Sequence, residues 1–367
     1  MQFRRWWAVA ALAALGLGTA RADLQIGQTV GVTGTVAATV KESMLGAQLY
    51  LDEVNAKGGV NGEKINLITL DDQFDTQLTL ANAQTLIENN QVLALFMARG
   101  TPHTQGLIAL LDQHGVPMIG PSTGAMIFHQ PVQKHIFNVR TTYQREAEKA
   151  ISHLALTGFK RIALVAVEDS FGADALAGAE NGLARSQLQA VTVARFDRSK
   201  PDFSSIAPSI VKTQAQAVLV IGSGTAVVSG IQAIRAAGSK AQFITLSNNA
   251  SEGFIKLLGN DARGVIVTQV FPNSLNYGLV KEADQLARAK GGLRVSPSML
   301  EGFTSAKVLV EGLRRAGKRP TRAKLQAALE TLQLDLGGLS INYSAQNHTG
   351  LEFADLSIIT EDGRFRR

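Results

Sequence analysis

The sequence predicts an α/β protein made of two doubly wound lobes, each with a parallel β-sheet covered by helices on both faces. Two observations indicate this fold class. Short runs rich in β-branched residues alternate with longer stretches of helical periodicity, which is the pattern of parallel strands joined by crossover helices. The alternation occurs in two successive blocks within 367 residues, and a single hydrophobic core rarely grows beyond about 250–300 residues.

The first block begins with an apolar strand at 24–30. The stretch after it carries Met44, Ala47, Leu51 and Val54 at helical spacing. Glycines then supply a turn before the next strand, since glycine adopts positive φ at little cost. The block as a whole predicts strands at 24–30, 65–70, 92–97 and 117–120, and helices at 40–56, 76–90 and 104–114.

The second block begins near Tyr143, and its helix leads through Gly158 to a strongly apolar strand. After the block, two further helices precede a tail rich in turns and short strands. The predicted strands lie at 161–167, 190–196, 217–222, 242–246, 339–343 and 354–360, and the predicted helices at 144–157, 172–187, 203–214, 226–237, 297–316 and 321–332.

The first 22 residues have the composition of an export signal. Arg4 and Arg5 give a positive start, residues 6–18 carry no charge, and 20–22 form the small-x-small triplet that a signal peptidase needs. The apolar run is shorter than the about 20 residues that span a bilayer. We expect cleavage after Ala22 and an exported mature chain. The alternative, an N-terminal core helix, leaves the arginines and the triplet unexplained.

Charge and residue types argue against several function classes. Loss of the three arginines in the export signal lowers the formal net charge from +6 to +3. The densest basic stretch, 314–322, suits a solvated helix face, so no nucleic-acid partner is expected. Without cysteine, the chain has no disulfide and no thiolate metal site. The histidines lack metal-ligand spacing, and no catalytic Ser-His-acid motif occurs. We expect that the protein needs no cofactor and is not an enzyme.

A repeat between the two blocks is the most informative feature. In each block, a strand runs into a loop of small polar residues, a helix follows, and the next strand ends in a second such loop. Thr101 and Ser122 are 21 residues apart in the first block, and Thr225 and Ser247 are 22 apart in the second. The loops are Gly100-Thr101 with Ser122-Thr123-Gly124, and Gly222-Ser223-Gly224-Thr225 with Ser247-Asn248-Asn249.

These loops lie at the carboxyl ends of strands, where open α/β sheets bind ligands. Glycine lets the backbone approach closely, and a hydroxyl beside the first N–H groups of a helix suits a carboxylate or another small anion. For any single loop, ordinary helix capping is the more common explanation. Four loops in matched positions favour a ligand cleft instead. A dinucleotide fingerprint at 222–227 is disfavoured, since Val227 replaces its last glycine and 230–250 lacks the acidic ribose partner.

Several motifs, in order along nearly all of the mature chain, resemble the type I periplasmic binding proteins of the branched-chain amino-acid class. The similar segments are Thr33-Gly34, the stretch 52–62, Asp71-Asp72, the stretch 120–125 and the stretch 168–172.

The resemblance implies two lobes joined by three crossovers, with a ligand held between them and passed to an ATP-driven (ABC) permease of the inner membrane. It implies lobes at 23–141 plus 272–330 and at 142–271 plus 331–367, and a periplasmic location; we expect a monomer. In the family, the loops matching Gly100-Thr101 and Ser122-Thr123-Gly124 bind the ligand carboxylate, and the aromatic position matching Phe171 packs on the ligand. We expect Gly224, Thr225, Ser247 and Asn248 to complete the site.

One departure from the family bears on the ligand. Amino-acid-binding members place an acidic side chain near the position of Ser247, where it pairs with the ligand ammonium, whereas the loop here is uncharged. Asp169 and His103 are further candidates for ligand contact, and surface or helix-start positions are the alternatives for both. The expected ligand is a small carboxylate, an amino acid or a related organic acid. A ligand-sensing module that reports to a membrane receptor has the same fold and is the alternative function.

Overall fold

Five strands form the first sheet of the computed structural model, which describes residues 23–366. They are β1 (Leu24–Val30), β2 (Ile65–Asp71), β3 (Ala94–Phe96), β4 (Met118–Ile119) and β5 (Ile136–Phe137). All neighbouring pairs are parallel, in the order β2-β1-β3-β4-β5. The export signal expected at 1–22 lies outside the described residues.

The second sheet repeats this topology and extends it. Its strands are β6 (Ile162–Val167), β7 (Ala190–Phe196), β8 (Ala217–Ile221), β9 (Gln242–Thr245), β10 (Ile266–Gln269), β13 (Asp355–Ile359) and β14 (Phe365–Arg366). The parallel part has the order β7-β6-β8-β9-β10, which matches the first sheet strand for strand. The last two strands add antiparallel pairs at the edge beside β10. The repeat read from the sequence is therefore a repeat of topology.

Helices surround both sheets. Those of the first lobe are α1 (Ala37–Ala56), α2 (Thr76–Gln84) with a π-helical extension (Thr85–Asn89), α3 (Thr101–His114), α9 (Gly278–Ala289), α10 (Pro297–Ala316) and α11 (Arg322–Leu329). Those of the second lobe are α4 (Tyr143–Leu156), α5 (Ser170–Arg185), α6 (Ile206–Lys212), α7 (Thr225–Ala236) and α8 (Glu252–Leu258). Among residues 23–366, no helix is both long enough and apolar enough to cross a membrane.

Helices α1 and α10 pack with their backbones in direct contact. A Cβ atom added to Gly46 would lie 1.9 Å from the carbonyl oxygen of Met299, and one added to Gly302 would lie 1.8 Å from that of Ser43. Only glycine leaves room for this approach. The contact anchors the long helix α10 directly on the helix that follows β1.

The chain passes between the sheets three times, after β5, after β10, and after the strand pair β11 (Gln333–Asp335) and β12 (Ser340–Asn342). The third crossing comes later than residue 331, the boundary that the family resemblance implied. Leu332, Ile341 and Leu351 are buried in the core of the first lobe, and the chain joins the second sheet only at β13. The sequence shows short strands here but not which core their apolar side chains enter.

Candidate functional site

The two first-lobe loops predicted to bind a ligand meet at the carboxyl ends of β3 and β4. The N–H of Ser122 donates to the carbonyl of Ala98 at 2.8 Å, and the hydroxyls of Thr101 and Thr123 are 2.8 Å apart. Gly100, with φ of 95°, precedes the first residue of α3. The parallel register of the strands brings these segments together, as the repeat predicted.

The two second-lobe loops meet in the same way. The Asn248 amide donates to the carbonyl of Gly222 at 2.9 Å and to the hydroxyl of Ser223 at 3.0 Å. The N–H of Gly224 donates to the Asn249 side chain at 2.9 Å. These bonds hold the residues around the start of α7 rigidly against the loop after β9.

Loops of both lobes face one another across a narrow cleft. The guanidinium of Arg99 donates to the Asn248 carbonyl at 2.7 Å, and the N–H of Thr225 donates to the Thr35 carbonyl at 3.2 Å. The space that remains is only about 10 Å³, which is about the size of one water molecule. Its lining comes from both lobes and consists of Phe74, Arg99, Gly100, Thr101, Ser122, Tyr143, Phe171, Arg198, Ser223 and Asn248.

Five of the predicted site residues line this cleft: Gly100, Thr101, Ser122, Phe171 and Asn248. Thr123 lies one layer behind, bonded to Thr101. Gly124 packs against the backbone around Thr141, where a Cβ would lie 2.5 Å from the carbonyl oxygen. Gly224 and Thr225 contact the first-lobe loop at Thr35 rather than the cleft.

Ser247 belongs to a buried charge cluster beside the crossovers. Its hydroxyl accepts from Arg140 at 2.7 Å, and its N–H donates to Glu146 at 3.0 Å. Arg140 forms an ion pair with Glu146 and lies 3.8 Å from Glu301. Burial disfavours the charged form of Arg140, but the combined attraction of Glu146, Tyr143 and Glu301, with the hydrogen bond to Glu146, outweighs burial and raises the pKa of the guanidinium. Thr268 at the end of β10 donates to Glu146, so the cluster connects two of the crossovers.

The two further candidates for ligand contact, Asp169 and His103, have contacts within the protein. The Asp169 carboxylate accepts from the N–H groups of Phe171 and Gly172 at the start of α5 and forms an ion pair with Arg198. His103 is buried and stacks on Phe74 with ring centroids 4.2 Å apart. Burial lowers the pKa of His103 to about 4, so the ring is neutral at pH 7.

Four residues that were not predicted as ligand contacts also line the cleft: Phe74, Arg99, Tyr143 and Arg198. Ser223, which lies in one of the predicted loops, lines it as well. Arg99 could have been predicted from the sequence. It is a charged residue between a buried strand and Gly100, in the loop predicted to bind an anion. Phe74, Tyr143 and Arg198 lie outside the repeated loops, so only the fold brings them to the cleft.

A larger cavity of about 320 Å³ lies away from the strand ends, between α9, α10 and the β13–β14 hairpin. Its arginines are already paired, Arg288 with Asp284 and Arg294 with Glu252. We place the functional site in the smaller cleft because the loops at the strand ends converge there. Within residues 23–366, no group of three or more histidine or acidic side chains is arranged to hold a metal ion.

Two similar lobes, three connecting segments and a polar cleft between the strand ends define a two-lobed binding protein. The chain belongs to the periplasmic binding protein family, whose model matches residues 23–357. The resemblance noted from the sequence is thereby confirmed.

Named relatives agree with this assignment. A Leu/Ile/Val-binding protein of Escherichia coli is 23% identical over 67% of this chain and 67% of its own. The Leu/Ile/Val-binding protein homolog 7 of Brucella abortus is 24% identical over 97% of this chain and 93% of its own. The crystal structure of a substrate-binding periplasmic protein from Ralstonia solanacearum superimposes with a TM-score of 0.85 at 27% identity, covering 94% of this chain and 99% of that one. These relatives are binding proteins rather than enzymes.

Proposed function

We propose that this protein captures a small carboxylate-bearing metabolite between its lobes in the periplasm and delivers it to an ABC permease. The observation that supports the binding step is the convergence of Gly100, Thr101 and Ser122 from one lobe with Phe171 and Asn248 from the other around one cleft. Hydroxyls and helix N–H groups on the first lobe suit a carboxylate. The delivery step rests on membership in the family. Export with cleavage after Ala22 belongs to the same proposal.

Binding requires the lobes to separate and close again. The closed cleft leaves about 10 Å³, less than any amino acid or organic acid occupies. A ligand that enters must replace contacts such as the one from Arg99 to the Asn248 carbonyl. Hinge motion about the three crossovers provides the opening, and contacts from both lobes to the ligand then stabilise closure.

A ligand screen with variants of the first-lobe hydroxyls tests this proposal. In thermal unfolding, a ligand at 100 times its Kd should stabilise the folded chain by about 2.7 kcal/mol. Thr101→Val and Ser122→Ala should each weaken binding by about 10- to 100-fold, because each removes a hydrogen bond to a charged group. Thr331→Val, on an exposed threonine far from the cleft, is the matched control.

Two results would count against the proposal. If amino acids and small organic acids all leave the unfolding temperature unchanged, the ligand class is wrong. If both hydroxyl variants bind as tightly as the Thr331→Val control, the first-lobe loops do not hold the ligand.

A further inference from the structure

Arg99 is a buried cation without a carboxylate partner. Arg99 is only 3% exposed. Among the described residues it donates hydrogen bonds to two neutral acceptors, the Ser122 hydroxyl at 3.2 Å and the Asn248 carbonyl at 2.7 Å. Glu301 attracts it only from beyond ion-pair distance. A buried charge without a counter-ion costs several kcal/mol, so the fold retains Arg99 at an energetic cost.

The contrast with Arg140 shows that this arrangement is particular to the cleft. Arg140 is equally buried, yet Glu146 pairs with it and Glu301 lies 3.8 Å away. Its role in joining the crossovers accounts for its charge. Arg99 instead lies directly in the cleft, in front of the first turn of α3. A ligand is the natural source of the missing negative charge.

The remaining lining of the cleft is also unsuited to a cation. Arg198 adds a second guanidinium, and no acidic residue is among the lining side chains. The nearest candidate carboxylate, Asp169, already pairs with Arg198 and caps α5. Asn248 is neutral. An ammonium group in this cleft would therefore be buried beside cations and without a counter-charge.

Aromatic rings complete the lining. Phe171 and Tyr143 lie with ring centroids 4.6 Å apart, and Phe74 lies on another part of the lining with the Arg198 guanidinium 5.0 Å above its ring. These rings offer apolar surface for the body of a ligand whose charged end meets Arg99.

We propose that the cleft binds an organic anion that has an apolar body and no ammonium group, with the guanidinium of Arg99 as the counter-ion of its carboxylate. This inference rests on the proposed function and narrows its ligand class. On binding, Arg99 exchanges its bonds to two neutral acceptors, the Ser122 hydroxyl and the Asn248 carbonyl, for bonds to a charged carboxylate, which are stronger. The site then differs from that of an amino-acid receptor because it offers no counter-charge for an ammonium group.

Ligand pairs that share a carbon skeleton test the inference by isothermal titration calorimetry at pH 7. The pairs are 4-methyl-2-oxopentanoate with leucine and phenylpyruvate with phenylalanine, and 4-methylpentanoate with its neutral amide completes the set. We expect an acid without an amine to bind about 30-fold or more tightly than its amino or amide counterpart, as a buried unpaired charge or a lost ion pair predicts.

Each outcome decides between the two proposals. If leucine or phenylalanine binds as tightly as its oxo acid, this inference is overturned while carboxylate capture between the lobes stands. If the amide equals the acid, Arg99 is not a counter-ion and the inference is again overturned. If none of these compounds binds, the inference is overturned, and the wider ligand screen decides whether the proposed function stands.

Variants of Arg99 separate a counter-ion from a structural bridge between the lobes. Arg99→Met should weaken binding of the preferred acid about 30-fold or more and abolish its preference over the amide, whereas Arg99→Lys should retain part of both. Arg263→Met, on an exposed arginine, is the matched control. Equal losses for acid and amide in Arg99→Met would mean that Arg99 serves only closure, and would overturn the inference. Should Arg99→Met fail to fold, Arg99→Lys and the ligand pairs on the unmodified protein decide the question.

Discussion

Replacement of Arg140 by methionine should destabilise the protein far more than the same change at a nearby surface arginine. The Arg140 side chain is 1% exposed, and the carboxylates that it faces, Glu146 and Glu301, are 0% and 7% exposed. Removing the cation leaves two buried carboxylates with no cation at ion-pair distance among the described residues. The expected loss in free energy of unfolding is about 3–5 kcal/mol at pH 7.

Arg145→Met is the matched control for this prediction. Arg145 lies 3.4 Å from Glu352, but the two side chains are 52% and 75% exposed, so water screens the pair. Its loss should cost about 0–1 kcal/mol. Urea unfolding followed by circular dichroism measures both variants, with the midpoint shift converted to free energy by a common slope. A loss equal to that of Arg145→Met would refute the electrostatic account of the cluster.

Two further predictions concern packing and protonation. Gly302→Ala should lower the free energy of unfolding by about 1–3 kcal/mol or more, because its Cβ would meet the Ser43 carbonyl oxygen at 1.8 Å. Gly106→Ala, whose Cβ would have no atom within 4 Å, should raise it by about 0.5–1 kcal/mol. Thermal unfolding measures both variants, and equal effects would contradict the helix contact. Burial lowers the pKa of His103 to about 4. Between pH 6.5 and about 4, the unfolded chain therefore takes up a proton that the folded chain does not. Stability should fall as the pH is lowered through this range. His103→Phe should remove part of this fall in urea unfolding between pH 7 and 5, and an unchanged pH dependence would contradict it.

Periodicity alone predicted most of the regular structure. The strand predicted at 190–196 and the helix at 297–316 match the structure at both ends. Several elements were missed, among them the two-residue β5, the strand β10 and the amphipathic helix α9. A strand of two to four residues carries too few side chains for an alternating pattern, and its place in the sheet depends on its neighbours.

The positions of the cleft loops were also readable from the sequence, because parallel strands bring their carboxyl ends to one edge. The sequence did not show which side chains enter the cleft. Ser247 and Thr225 follow strands as predicted, yet their contacts go to Arg140 and Thr35, from distant parts of the chain. A loop's position along the chain does not determine the direction of its side chains once the opposite lobe packs against it.

The sequence by itself determined two α/β blocks, the order of their elements and a family of binding proteins, because these follow from periodicity and motifs that are local in the chain. Only the tertiary structure decided which charges are paired. Asp169 has Arg198, and Arg140 has Glu146, whereas Arg99 has no described carboxylate as an ion-pair partner. Charge pairing depends on distances between segments remote in sequence, and at short range in a buried site those distances govern the electrostatic energy.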